Sequence, residues 1–170
     1  MKTCISSFAI LFAFGTNSFA APADLLEGPG SPPAEREVQV TAWLQAFELS
    51  YDDITVQVEY DGGSETVGVN DRGRFNVTLP ADVEAVLRFE KPGHVTKEVI
   101  VDTRHVAAGD FDERVRKVSF GVVLEPERHM ADQVYAGPVG TIGFDADGGC
   151  LAVEEHRELA PGRKRATMVF

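Results

Sequence analysis

Two cysteines and one tryptophan in 170 residues leave this chain little covalent or soft-ligand chemistry to work with. Cys4 precedes an apolar run inside a leader-like segment, so a chain that begins near Ala21 keeps only Cys150. No intramolecular disulfide is then available, and the fold must rest on packing, which about 150 residues can supply without covalent staples. A leftover thiol in an exported chain either pairs with another chain or stays free. In "DADGGCLAV" the simplest expectation for Cys150 is a small buried residue at the start of a strand. Long apolar runs are also missing. Apart from Ile5 to Phe14, no stretch approaches the roughly 20 residues that cross a bilayer, which predicts no membrane insertion.

Positive charge is scarce as well: 16 Lys and Arg face 27 Asp and Glu, for a net charge of −11. Nucleic acid and anionic membrane surfaces would repel such a chain, which argues against both as partners. No Gly-x-Ser-x-Gly, phosphate loop or Cys-His pairing in context is present. The four histidines, His94, His105, His129 and His156, form no His-x-His or His-x-x-x-His pair, and metal ligands must converge on one ion. The expectation is a chain that is not an enzyme and holds no metal or cofactor.

Residues 1–20, "MKTCISSFAILFAFGTNSFA", carry one cation at Lys2, an apolar centre and small residues at Ser18 and Ala20. That pattern reads as a cleaved signal peptide and implies a periplasmic or extracellular destination. Loss of Lys2, the one charge in this segment, takes the net charge from −11 to −12. Residues 21–36, "APADLLEGPGSPPAER", read as a flexible Pro/Gly-rich linker.

From Glu37 the pattern has period two. Val38, Val40, Ala42, Leu44 and Ala46 fall on one face, and Gln39, Thr41, Trp43, Gln45 and Phe47 on the other. "ITVQVEY", "SETVGV", "RFNVTLP", "EAVLRFE", "VTKEVIVDT" and "VRKVSFGVVLEPE" continue the alternation, separated by turns at "DGG", "NDRG" and "KPG". In "FEKPGHVTKEVIVDT", Pro92 fixes φ and Gly93 permits positive φ, which predicts a hairpin turn. Lys97 then falls on the apolar face with Val95, Val99 and Val101, where only snorkelling accommodates it. The prediction is an all-β domain over 37–125, a seven-stranded antiparallel Greek-key sandwich. Residues 126–153 are read as an extra edge strand or hairpin, weakened by glycines and Pro138, and 154–170 as a loosely ordered tail with a basic cluster, "GRKR".

"ITVQVEYDGG", "VNDRGRFNVTLP" and "AVLRFEKPGHVTKEVIVDT" resemble the transthyretin-like, carboxypeptidase-regulatory-like modules of bacterial envelope proteins. The resemblance is carried by Asp71, Gly73, Phe75, Val77, Leu79 and Pro80, then by Lys91, Pro92, Gly93 and His94, and it covers about residues 38–125. It implies a transthyretin-like (prealbumin-like) fold and a module that stabilises, spaces or binds. One enzymatic subgroup of transthyretin-like proteins ends in a "Y-R-G-S" signature; this chain ends in "TMVF", which argues against that hydrolase activity.

Three weaker patterns complete the reading. "DADGG" at 145–149 resembles the start of a calcium loop, but position twelve falls on His156 rather than on a bidentate acid, so a hairpin turn is the better reading; Glu154 and Glu155 stand nearby. Asn76-Val77-Thr78 fits a glycosylation acceptor but lies within an expected strand. Trp43 and Phe47 are the candidate partner contacts, because aromatic side chains bury large areas at small entropic cost; the competing reading is a strand buried on both faces. The expected partner is an envelope or surface protein met through a sandwich surface or edge strand, with a glycan as the second class.

Overall fold

The computed structural model describes residues 36–46, 50–108, 115–147 and 149–162. These belong to one compact unit, Pro33–Phe170. The leader, the segment 21–35, Phe47 and residues 163–170 lie outside the described residues.

The described residues form eleven strands: β1 (Glu37–Ala46), β2 (Thr55–Tyr60), β3 (Gly63–Val67), β4 (Arg74–Pro80), β5 (Glu84–Glu90), β6 (Lys97–Asp102), β7 (Val115–Leu124), β8 (Gln133–Tyr135), β9 (Gly140–Phe144), β10 (Leu151–Glu155) and β11 (Leu159–Pro161). Helix is confined to a single 3-10 turn, Glu127–His129, among the described residues. Two sheets form the sandwich: one of three strands in the order β4-β1-β7, the other of six in the order β10-β9-β6-β5-β2-β3. β8 and β11 make a separate two-stranded sheet.

Alternation along each strand sends one set of side chains into the space between the sheets. Val38, Val40, Ala42, Leu44, Phe75, Val77, Leu79, Val118, Val122 and Leu124 project from the smaller sheet, and all are buried. Val56, Val58, Ala85, Leu87, Phe89, Val99, Val101, Ile142 and Phe144 meet them from the larger one. Phe75 and Phe89 join the two layers, their ring centroids 5.8 Å apart at a tilt of 52°, a geometry that aromatic pairs favour.

Pairing departs from the wholly antiparallel expectation at two ladders. β1 runs parallel to β7 over its whole length, Glu37 opposite Val115 and Ala46 opposite Leu124. β6 runs parallel to β9, Val99 opposite Gly140. Period-two patterning specifies which face of a strand is buried and carries no information about the direction of its neighbour, so the departure has no signature in composition. The segment read as an extra edge strand or hairpin supplies β8, β9 and the start of β10, with β9 and β10 paired at the edge of the larger sheet, and Leu159–Pro161, within the segment read as a loose tail, forms β11 and pairs with β8.

Two corners hold the layers in register. At the first, Asn70 Oδ1 accepts from the amides of Arg72 and Arg74, both at 3.0 Å. Gly73 then turns at φ +72°, and its carbonyl accepts from Leu44 N at 2.7 Å. At the second, the fully buried Thr103 Oγ1 accepts from Val83 N at 2.9 Å and lies 2.9 Å from the carbonyls of both Pro80 and Val83, to one of which it donates. Asp82 takes φ +62° at that corner, a left-handed conformation that Asp tolerates better than most residues.

Candidate functional site

Trp43 sits at the centre of the smaller sheet with its side chain on the outer face, 43% exposed. Its cross-strand partners are Arg74 on β4 and Gly121 on β7. The Arg74 guanidinium carbon lies 5.7 Å from the indole centroid, a cation–π placement. Gly121 has no side chain, so nothing projects over the indole from β7. Val123, 51% exposed, adds an apolar side chain next to Gly121 on the same face of β7, whereas Lys117 and Ser119 occupy that face farther along the strand. Thr41 Oγ1 donates to Asn76 Oδ1 at 2.7 Å and ties β1 to β4 on the same face. Trp43 is therefore a surface residue rather than part of a doubly buried strand; Phe47, its proposed companion, lies outside the described residues.

A second exposed element is β10, the outermost strand of the larger sheet on one side. Leu151 and Val153 pair with Phe144 and Ile142 and so share the inward face of the sheet. Ile142 and Phe144 are buried, whereas Leu151 is 47% and Val153 62% exposed. The three-stranded sheet does not reach far enough to cover them. Cys150, in the turn just before β10, is exposed, which corrects the expectation of a buried residue.

The turn preceding it is closed by Asp145. Asp145 Oδ2 accepts from Cys150 N at 3.1 Å, while its carbonyl accepts from Gly149 N at 3.0 Å, as a hairpin turn between β9 and β10 requires. His105 lies in an exposed turn at φ +64°, His129 in the 3-10 turn, and His156 on the surface 4.0 Å from Glu154. Among the described residues no three His, Cys, Asp or Glu side chains are placed to hold a metal together. No described helix is long and apolar enough to cross a membrane.

A groove of about 550 Å³ opens where the "KPGH" turn, the outer face of β5 and β6, and β8 meet, lined among others by Arg88, His94, Glu98, Glu127, Asp132 and Tyr135. The turn is zipped to the end of β7: Val95 N donates to Glu125 O at 2.9 Å and Glu127 N to Gly93 O at 3.0 Å. Lys97, the apolar-face lysine, explains how β8 stays in place. Its Nζ lies 2.6 Å from Glu125 Oε2 and 5.0 Å from the Tyr135 ring centroid. Glu125 Oε2 is buried and meets no donor in good hydrogen-bond geometry, so this is an ion pair by proximity. The long methylene stem fills the core edge while the charge is balanced at its rim.

One carboxylate has a shifted titration. Asp102 is held below the ordinary carboxylate value, first by the Arg104 side chain, whose Nε donates to its two oxygens at 2.8 and 3.0 Å, with partial burial opposing. Arg104 also reaches Glu84 Oε2 at 2.9 Å. This network fastens the end of β6 to the start of β5 on the surface.

Alternation alone separates Trp43 from the inward face of β1, and the structure has its side chain exposed. Alternation gives no sign of the groove, whose residues are far apart in the chain and gather only because β8 and β11 fold back against the larger sheet.

Comparison with known proteins yields no matching family model and no matching curated protein. Solved structures to which the chain has partial similarity include two of a type II cohesin–X-dockerin complex from Acetivibrio cellulolyticus. A chain of the N-terminal interface mutant is 12% identical with a TM-score of 0.34, over 52% of this chain and 58% of its own length. A chain of the C-terminal interface mutant is 13% identical with a TM-score of 0.30, over 51% of this chain and 56% of its own. This chain thus spans little more than half of either.

Proposed function

We propose that this chain is a non-catalytic, exported binding or accessory module of the bacterial cell envelope, with a transthyretin-like arrangement of its core sandwich. It meets a protein partner through the outer face of β4-β1-β7. The observation that carries this reading is Trp43, 43% exposed on the outer sheet face beside a glycine and a half-exposed valine. Exposed aromatic anchors of this kind dominate binding energy where they are enclosed by a partner. Support for the transthyretin-like arrangement comes from Gly73, at φ +72° on the turn into β4, and from Phe75, the first inward residue after it. The export step rests on the leader pattern of residues 1–20.

The test is a photo-cross-linking residue placed at Gln45, beside Trp43, compared with one at Glu59 on the outer face of the larger sheet, both expressed in a cell envelope. A discrete protein adduct from Gln45 that disappears with Trp43→Ala, and none from Glu59, is the expected result. Equal adducts from both positions, or none from Gln45, would refute the assignment of this face. A glycan is the second reading, resting on the exposed indole as a stacking surface for a sugar ring. Binding on a glycan array that is lost with Trp43→Ala would establish that reading instead.

A further inference from the structure

We propose that β10 pairs with β10 of a second copy of this chain, edge to edge and antiparallel about a two-fold axis at Ala152, so that the two six-stranded sheets become one continuous sheet. The pairing uses the larger sheet and leaves the Trp43 face of each copy open, so it stands apart from the function proposed above.

Hydrogen bonds at both ends of β10 fix which of its backbone groups are free. Cys150 O accepts from Asp145 N at 2.9 Å, and His156 N donates to Val139 O, also at 2.9 Å. Both pairs continue the register that sets Leu151 against Phe144 and Glu155 against Gly140. In an antiparallel ladder, residues bonded to the neighbouring strand alternate with residues whose N–H and C=O point the other way. The even-numbered residues therefore bond toward β9, and Leu151, Val153 and Glu155 present their backbone groups to the open edge. No described strand takes them up.

Sheet edges are normally blunted against such pairing by charge or proline. Of the four edge strands among the described residues, three follow that pattern. β3 centres on Glu65, β4 opens on Arg74 and ends at Pro80, and β7 carries Arg116 and Lys117. β10 differs: its first three residues, Leu151, Ala152 and Val153, carry no charge, and every residue of the strand is exposed.

The order of residues in β10 suits a second copy of itself. With the axis at Ala152, Leu151 of each protomer falls opposite the partner's Val153, and each such pair exchanges two backbone hydrogen bonds. The small Ala152 side chains meet at the axis as a non-hydrogen-bonded pair, where antiparallel strands approach most closely. The four apolar side chains lie on the inward face shared with Ile142 and Phe144, and they cover one another where the smaller sheet stops short. Charge is matched as well. Glu154 falls opposite the partner's Cys150, so no two carboxylates are directly opposed, and the same register carries the exposed Arg157 toward the partner's turn at Asp145–Gly149, where Asp147 is exposed. An axis at Val153 would instead set Leu151 against Glu155, and one at Glu154 would oppose two glutamates. A self-complementary contact of this kind closes on itself and gives a dimer rather than a filament.

The test is sedimentation equilibrium of the full chain under reducing conditions over a wide range of concentration. A reversible monomer–dimer equilibrium is expected, and because each copy carries a net charge of −11 it should tighten as salt screens the mutual repulsion. Val153→Lys should weaken dimerisation at least tenfold without lowering stability in urea, since Val153 is exposed, and Trp43→Ala should leave dimerisation unchanged. Ala152→Cys in a Cys150→Ser background should be trapped as a disulfide-linked dimer under mild oxidation, because the Cα separation of a non-hydrogen-bonded pair suits a disulfide. Glu65→Cys, on the opposite edge of the same sheet, should be trapped in far lower yield in that background. A monomer at every concentration and salt would overturn the proposal and leave this edge to a strand from a different protein. A dimer unaffected by Val153→Lys, or equal trapping at residues 152 and 65, would overturn it in favour of another contact between copies.

Discussion

Gly73 and Gly93 take nearly the same left-handed backbone, φ +72° and +71°, in very different surroundings. A Cβ on Gly73 would come within 2.4 Å of Tyr51 Cε1 and 2.6 Å of the Leu44 carbonyl oxygen, whereas one on Gly93 would meet nothing within 4 Å. The Tyr51 ring can swing away. The Leu44 carbonyl cannot, because Leu44 N is bonded to Gly73 O at 2.7 Å and its side chain is in the core. The left-handed conformation costs an L-residue roughly 1–2 kcal/mol, and alanine recovers about 0.4–1 kcal/mol by restricting the unfolded chain. Gly93→Ala should therefore cost about 1.5 kcal/mol or less. Gly73→Ala adds overpacking against backbone, typically about 1–3 kcal/mol, for a net loss of roughly 2–4 kcal/mol. For a domain of this size that lowers Tm by roughly 10 °C. Equilibrium urea unfolding of the three proteins, with constant m-values, measures the difference directly. Equal losses for the two substitutions would show that the close approach of Gly73 to Leu44 does not constrain the corner.

Four further outcomes follow from the same contacts. Thr103→Val strands the buried Val83 amide and should cost about 1–3 kcal/mol in urea unfolding, while Thr103→Ser keeps the hydroxyl and should cost clearly less. Lys97→Met leaves Glu125 without its counter-charge and should destabilise by about 1–3 kcal/mol, below the range for a fully buried pair because Glu125 is one-third exposed; adding Glu125→Gln should restore part of that loss. Because Arg104 holds the folded-state pKa of Asp102 below its unfolded value, the pair stabilises the protein above about pH 4 and the contribution disappears as pH falls through the folded value. Stability of Asp102→Asn measured across pH 2–6 should converge on that of the unaltered chain at the acid end. Trp43, the sole tryptophan, should be quenched by acrylamide as a half-exposed indole, and Trp43→Ala should change stability by about 1 kcal/mol or less; strong shielding from the quencher would place it in a covered environment instead.

The inward faces of β1, β2, β4, β5 and β6 were legible residue by residue, because a strand covered on one side leaves a period-two record that no other element produces. The hairpin around Pro92-Gly93 was legible for a similar local reason: proline and glycine constrain φ regardless of what lies nearby. Lys97 shows the limit. Alternation placed it correctly on the apolar face, but its neutralising partner Glu125 and its aromatic neighbour Tyr135 are brought to it by the ends of β7 and β8. Cys150 shows another: a small residue at a strand start is ordinarily buried, and this one is exposed in the turn that leads into the edge strand β10.

Taken alone, the order of residues determined which side chains are buried and where the chain turns, since both depend on local φ, ψ and on a two-residue repeat. Tertiary structure decided the direction in which β7 lies beside β1, the exposure of Trp43 over Gly121, and the gathering of His94, Glu127 and Asp132 around one groove. Those outcomes depend on contacts between segments distant in the chain, and such contacts leave no periodic trace in the residues that make them.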